Sequence, residues 1–462
     1  MSNRFTDDTM LDMGQIAPHG RFVHIYINGL YWGQYHMRER WNASMLSEYF
    51  GGVKDDYEAI NANNSGNEFQ TGSVFDGTGQ YWTETQNLVN GANPFASAKG
   101  HIDMHNVFNF MMLWVSGNSE SEFRAAGSVP LGVPFKFFMK DADGFLRSTG
   151  RTLSHNGPLN VMSKLATEGD PDYKMLLADE IHRHYFNGGA FTPAKNIARL
   201  QARVDETQQS FISEAARWNF RTPSSWQSYQ TNLVNNHFPG LTNTMINRFT
   251  SGGHYPSMVA PSFNQHGGGV PAGFQLAITA PTGMIYYTTD GTDPRLAIAD
   301  GGTGNGSVGS TAIAYTSTLP INSTKVKARV LNSGNWSALN TATFVQDFSS
   351  LVVSELMYNP SPATPGEIAA GHGDSEDFEY LELLNTGAGS LDLSGVQFTA
   401  GITFDFSTGS ITSLSAGARL LIVEDLVAFE YRYGAGHPVS GQYIGKLKDE
   451  GEGVHVIDAL DQ

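Results

Sequence analysis

The stretch FKFFMKDADG, Phe135 to Gly144, places two carboxylates two positions apart behind an alternating aromatic run. Asp141 and Asp143 suit a divalent cation, because neighbouring carboxylates repel each other and hard cations take oxygen ligands. The same residues suit a turn, since Asp-Ala-Asp-Gly is turn chemistry and Gly144 is free to take positive φ. The two readings are compatible and both stand. His101 and His105 are four apart and could share a metal, although a pair without a third ligand reads more readily as structural. His182 and His184, two apart on a helical stretch, face different ways and make no ligand pair. Asp374, Glu376, Asp377 and Glu379 could offer calcium its oxygen ligands, but no twelve-residue loop spacing accompanies them and a solvated acidic loop is the plainer reading.

These residues sit in a chain of 462, room for two to four domains at roughly 100–200 residues each. Apolar residues at 40% and aromatics at 11% indicate folded, globular material. A formal charge of -17, with Lys and Arg scattered along the chain, repels phosphate backbones and anionic lipid, so no nucleic-acid partner is expected. The longest apolar run, FNFMMLWV from Phe108 to Val115, falls short of the roughly 18 residues of a membrane helix, so no membrane insertion is expected. The absence of cysteine excludes disulfides, thiolate nucleophiles and Cys-ligated zinc. The opening MSNRFTDDTMLDMGQ has neither the basic nor the apolar segment of a signal peptide.

Three kinds of element must position the candidates. RFVHIYINGLYWGQYHMRE sets Asn28-Gly29 between two β-rich runs, which predicts a hairpin with a type I′ turn, and a short helix follows from Asn42 to Phe50. Helical spacing then dominates. TPAKNIARLQARVDETQQSFISEAARW predicts a helix with Thr192 as N-cap, Pro193 at the first position and Ile197, Leu200, Val204, Phe211 and Ile212 on one face. GDPDYKMLLADEIHRHYF repeats the device with Asp170 and Pro171, and HIDMHNVFNFMMLWVSGN, apolar nearly all round, predicts a buried helix. Near residue 258 the pattern changes to short strands with turns every 8 to 12 residues, which predicts β-sandwiches. In the first of them, Val326, Ala328 and Val330 are expected to face in, with Lys325, Lys327 and Arg329 facing water.

Three family resemblances enter on this pattern. IYYTTDGTDPR (Ile285 to Arg295) with STKVKARVLNSGNWSALNTATF (Ser323 to Phe344) resembles the Ig-like C-terminal domain of chitobiase and β-hexosaminidase, over residues 259–346. LVVSELMYNP, DFEYLELLNTGAGSLDLSGVQF, LSAGARLLIVED and GKLKDEGEGVHVID resemble a lamin-tail domain over residues 349–462, a family that usually adds a further strand, so this module is expected to be cut short. In that family the acids of the central strand lie on the outer face, which places Glu379 and Glu382 there. Residues 1–258 resemble the C-terminal part of the CotH family of atypical protein kinases, through FVHIYINGLYWGQYHMRERWN, SEYFGGVKDDYEAI and FKFFMKDAD. The expected architecture is a multidomain chain: an α+β atypical kinase-like region, then two Ig-like β-sandwiches with few contacts to it.

The CotH resemblance implies phosphoryl transfer from ATP with Mg2+ to a secreted or surface protein. It gives Asp141 the catalytic and metal role with Asp143 beside it, Glu120 the acceptor-positioning role, and Glu39 a place at the nucleotide edge. The sequence departs from the family pattern. Glutamate stands at Glu120 for the family's aspartate, and Lys140 stands where the family has tryptophan. Only about twenty residues precede the hairpin, where the family carries its phosphate-covering loop and ATP-pairing lysine, so the expectation is weak or absent activity. The alternative is a non-catalytic surface protein serving adhesion or matrix contact, with carbohydrate as a further partner class. An extracellular or cell-surface location follows from the sandwich families and the lack of cysteine. A sugar hydrolase is a weaker idea, since no carboxylate pair in a barrel pattern accompanies the chitobiase-like stretch.

Overall fold

The computed structural model describes residues 1–61, 73–117, 123–142, 144–146, 164–165 and 169–458, and the statements below concern those residues. The hairpin forms as the sequence predicts. β1 (Gly20–Ile27) and β2 (Leu30–Arg38) pair antiparallel, and Asn28 and Gly29 take φ of 50° and 78°, the positive values of a type I′ turn. α1 (Ser2–Asp12) lies before the hairpin and α2 (Ala43–Phe50) after it, the latter capped by Asn42, whose Oδ1 accepts from Met45 N at 3.0 Å.

β3 (Glu58–Asn61), β4 (Ser73–Asp76), β5 (Phe123–Ser128) and β6 (Val133–Met139) form an antiparallel sheet in the order β4-β3-β5-β6. The helices α3 (Gln80–Asn90), α4 (Pro94–Ala98), α5 (Met104–Gly117), α6 (Pro171–Tyr185), α7 (Pro193–Trp218), α8 (Pro223–Asn232) and α9 (Phe238–Ser251) complete this part of the chain. α5 is buried at every residue except His105, which its all-round apolar sequence requires. Phe137 of β6 bridges the sheet to α5, with ring centroids 5.4 Å from Phe123 and 6.0 Å from Phe110.

α7 starts where predicted, but Thr192 does not cap it through its side chain; the hydroxyl donates back to Gly189 O at 2.7 Å. Its predicted apolar face is only partly buried, with Ile212 60% exposed. Of that face only Leu200 is fully buried, and the polar residues Asn196, Arg199 and Thr207 are buried beside it. Arg199 donates to Asp12 and to Ala190 O, and Asn196 to Phe191 O, so each polar group entering the core brings its own partner.

From Ser262 onward the chain is β-rich and sandwich-like. β7 (Met284–Thr288), β8 (Thr324–Asn332) and β9 (Asn340–Gln346) carry the main sheet of its first half, with Val326, Ala328 and Val330 buried as the alternation predicts. Arg329 corrects the sequence reading. It is 1% exposed, because its guanidinium does not meet water but the acids Asp179 of α6 and Asp293. The expectation of few contacts with the helical part fails on the same contacts. Asp179 Oδ1 also accepts from Leu339 N at 2.8 Å, while Asp172 of α6 accepts from Arg295 Nη2 at 2.6 Å and from the backbone of Ile298 and Ala299. The β-rich part is therefore clamped to α6 by charge-assisted hydrogen bonds.

In the second half, β10 (Leu351–Met357), β11 (Tyr380–Asn385), β12 (Arg419–Val423) and β13 (Val439–Gln442) form one sheet in that order. A single cluster joins Leu381, Leu383, Leu420 and Ile422 of this sheet to Phe398, Phe404 and Phe406 across from it. Glu382 lies on the outer face, paired with Arg419 at 2.9 Å. Glu379 does not. It is 1% exposed, and its carboxylate accepts from Tyr443 OH and Leu447 N, which satisfies a buried charge at the start of the strand. Among the described residues no helix is long and apolar enough to cross a membrane.

Candidate functional site

β6 is an edge strand whose end sets the position of Asp141. Lys140 O accepts from Arg38 Nη2 at 3.0 Å, Ala142 N donates to Asn3 Oδ1 at 3.0 Å, and Phe145 N donates to Ala142 O at 2.8 Å. Asp141 is thus held between two anchored peptide groups, and the chain turns immediately behind it. The hydrogen bond from Phe145 N to Ala142 O lies one residue beyond the turn expected at Asp141 to Gly144, and no strand among the described residues returns along β6 to complete a hairpin there. The ring of Phe145 packs over Gly117 at the end of α5, so closely that a Cβ at Gly117 would lie 1.8 Å from it. Phe123, where β5 begins, pairs with Met139, where β6 ends. The two described ends of the stretch between α5 and β5 therefore both abut the Asp141 turn. Glu120, within that stretch, and Asp143 lie outside the described residues.

Below the turn runs a row of ion pairs from α1. Arg38 Nη1 meets Asp7 Oδ2 at 2.9 Å, and Asp8 meets Arg4 at 2.7 Å and Arg203 at 3.4 Å. Burial drives the Asp7 carboxyl up to about 7 against the opposing pull of Arg38. Arg38 also lies over the Trp41 ring, 4.1 Å from its centroid. Burial and the charge of Arg38 hold His36 down to about 4, so it is neutral at physiological pH.

Glu39, the residue after β2, is exposed and already engaged. Its Oε2 accepts from His19 N at 2.8 Å and from Tyr49 OH at 3.1 Å, which ties the open end of the hairpin to α2. The histidines separate as the sequence indicated. His101 Nδ1 lies 3.1 Å from Thr85 Oγ1, whereas His105 Nδ1 lies 2.8 Å from Glu180 Oε1. His182 bonds Tyr255 OH and His184 bonds Glu180. In the acidic loop, Lys446 pairs with both Asp374 and Glu376, so an ammonium already supplies positive charge there.

Among the described residues no group of three His, Asp or Glu side chains is placed to hold a metal ion, and Asp141 is the one member of the expected metal set that they include. The described residues do not by themselves compose a magnesium–nucleotide site. Sequence reasoning missed Asp7, Arg38, Asp179, Glu180 and Arg329. Only Glu180 carried a local signal, its spacing of four to His184 on one helix. The others pair across 31 residues or more.

Comparison with known families gives two matches. A family described as CotH kinase protein matches residues 1–108, and one described as Fn3 associated matches residues 274–344. The first match takes in α1, the hairpin and Glu39 and ends inside α5, before Glu120 and Asp141. The second lies within the β-rich part and includes β7 and β8. No curated protein matches the chain.

Proposed function

We propose that the chain is a CotH kinase-related multidomain protein, exported to the cell surface, in which phosphoryl transfer from ATP is weak or silent. The family match over residues 1–108 carries this reading. Locally it is supported by the anchoring of Asp141 at the end of an edge strand, the kind of rigid position a metal-binding carboxylate needs. In this reading Asp141 and Asp143 face Mg2+, Glu120 the acceptor hydroxyl of a secreted or surface protein, and Glu39 the nucleotide edge. A bound magnesium ion would neutralise charge on the phosphates. Glu120 and Lys140 in place of the family's aspartate and tryptophan argue for low activity, since catalysis needs alignment as well as charge. The two β-rich halves are read as chitobiase C-terminal-like and lamin-tail-like modules with accessory roles.

The test is a pair of measurements on the full chain. Asp141→Asn should reduce any magnesium-dependent rise in melting temperature, while autophosphorylation of the unmutated chain stays at background. Robust autophosphorylation that Asp141→Asn abolishes refutes the silent-kinase reading. The second reading, a non-catalytic adhesion or scaffold protein, is favoured by the apolar surface on and beside the hairpin, where Tyr26, Leu30 and Phe220 are 63%, 67% and 78% exposed. Binding to a glycan or surface-protein panel without nucleotide binding would select it.

A further inference from the structure

An open cleft of about 570 Å³ lies between α6 and the outer face of β8 and β9. We propose that this cleft binds a small polyanion, a ligand carrying two or more phosphate groups. Lys325 and Lys327 are two apart on β8, so their ammonium groups leave the same face of the strand, the face that lines the cleft. Neither forms an ion pair among the described residues. The third cation of that face, Arg329, is already committed to Asp179 and Asp293. The acids of the cleft already have partners within the protein: Arg329 bridges Asp179 and Asp293, and Glu180 is hydrogen-bonded to His105 and His184. Two lysines that enter no ion pair thus line a pocket of the size that small ligands occupy, at a junction between parts of the chain where such sites are common.

The opposite wall supplies a directional group. His182 is 7% exposed, its Nδ1 lies 2.8 Å from Tyr255 OH, and its Nε2 is buried without a partner. When the tyrosine hydroxyl donates to Nδ1, Nε2 carries the proton and is free to donate to a phosphate oxygen. Burial, with the charges of His266 and Arg329, holds this imidazole down to about 4, so the ring is neutral at physiological pH and one of its nitrogens carries a proton to donate. In a chain of net charge -17 the long-range field repels anions, so binding must come from these close groups and must weaken as salt screens them.

The probe is pyrophosphate, titrated calorimetrically into the full chain at low and at moderate salt, with inorganic phosphate and chloride as comparators. The expected result is saturable binding of pyrophosphate, tighter than phosphate, weakened at least tenfold by Lys325→Ala with Lys327→Ala and unchanged by Lys195→Ala on α7. In the unmutated chain the His182 ring resonances should move with the same saturation curve. Pyrophosphate binding that survives loss of both lysines, or a His182 resonance that does not move, overturns the proposal. None of the residues assigned to the Asp141 region takes part, so failure here leaves the kinase-related reading untouched, and failure of that reading leaves this one.

Discussion

Replacing Arg329 by methionine should release the β-rich part from α6. The arginine is 1% exposed, and its two terminal nitrogens and Nε bond Asp179, Asp293 and Ser337 O. Methionine keeps much of the volume but leaves two carboxylates facing a space they entered only as part of an ion triad. Removing one partner of a buried pair costs about 3–5 kcal/mol, because the remaining charge is stranded. Asp179 bears most of this cost, since burial already pushes its carboxyl up against the pull of Arg329. Asp293 is 34% exposed at its side chain and can turn to water, so its share is discounted to about 1 kcal/mol or less. A total near 4 kcal/mol, at about 2–4 °C per kcal/mol, lowers the melting transition of the β-rich part by roughly 10 °C. Differential scanning calorimetry reads that shift, and limited proteolysis should gain a cut in the segment 252–261 between α9 and the first strand beyond it. Asp179→Asn and Asp293→Asn added to Arg329→Met should recover part of the loss, because the stranded charges go with the arginine. An unchanged transition and cleavage pattern in Arg329→Met would refute the clamp.

Glu180→Gln should destabilise by about 1–3 kcal/mol and flatten the pH dependence of melting, since Gln offers one uncharged acceptor oxygen where the Glu180 carboxylate uses two, one to each of His105 and His184. Burial raises the Glu180 carboxyl, but hydrogen bonds from His105 and His184 outweigh it and bring it down to about 2, so its contribution is present above its ordinary 4.5 and is lost as pH falls from there through about 2. His105 is shifted up by its bond to Glu180, so its contribution is full below its ordinary 6.5 and fades as pH rises through its folded value; the melting-temperature difference between the two proteins should be largest between those limits. Gly117→Ala should cost about 1–3 kcal/mol by driving a methyl into the Phe145 ring, and should also blunt the magnesium-dependent shift read at Asp141, whereas a variant that melts like the unmutated chain would mean the ring has room to move.

Local chemistry was legible in the sequence wherever it acts within a few residues. Asn28-Gly29 fixed the hairpin turn because few other dipeptides hold two consecutive positive φ values. Asp170 and Pro171 marked the start of α6, and Asp170 Oδ1 accepts from Asp172 N and Tyr173 N. The burial of α5 followed from its composition alone. Side-chain facing failed where a polar residue found a distant partner. Arg329 alternates with Lys325 and Lys327 and so reads as solvent-facing, yet nothing within its own strand announces Asp179, 150 residues earlier in the chain. Glu379 departs from its outward expectation for the same reason, since its partners Tyr443 and Leu447 arrive from 64 and 68 residues away. Of the candidate site, Asp141 could be read as the end of an aromatic strand, whereas the contact that anchors it, Arg38 on Lys140 O, spans 102 residues.

One long-range feature did leave a trace in the sequence. Asp172 and Asp179 are seven apart on α6, two helical turns, so both carboxylates leave the same side of the helix about 10 Å apart along its axis. Each is matched by an arginine of the β-rich part, Arg295 and Arg329, and each also accepts a backbone N–H from that part, from Ile298 and Ala299 at one end and Leu339 at the other. A single clamp would leave the β-rich part free to pivot, but two clamps separated along a rigid helix fix its angle. The cleft holding Lys325, Lys327 and His182 has one wall on each part, so its width depends on that angle. The acidic repeat on α6 thus sets the geometry in which the two lysines face the unpartnered Nε2 of His182, and a change that frees one clamp, such as Arg329→Met, acts on the cleft as well as on stability.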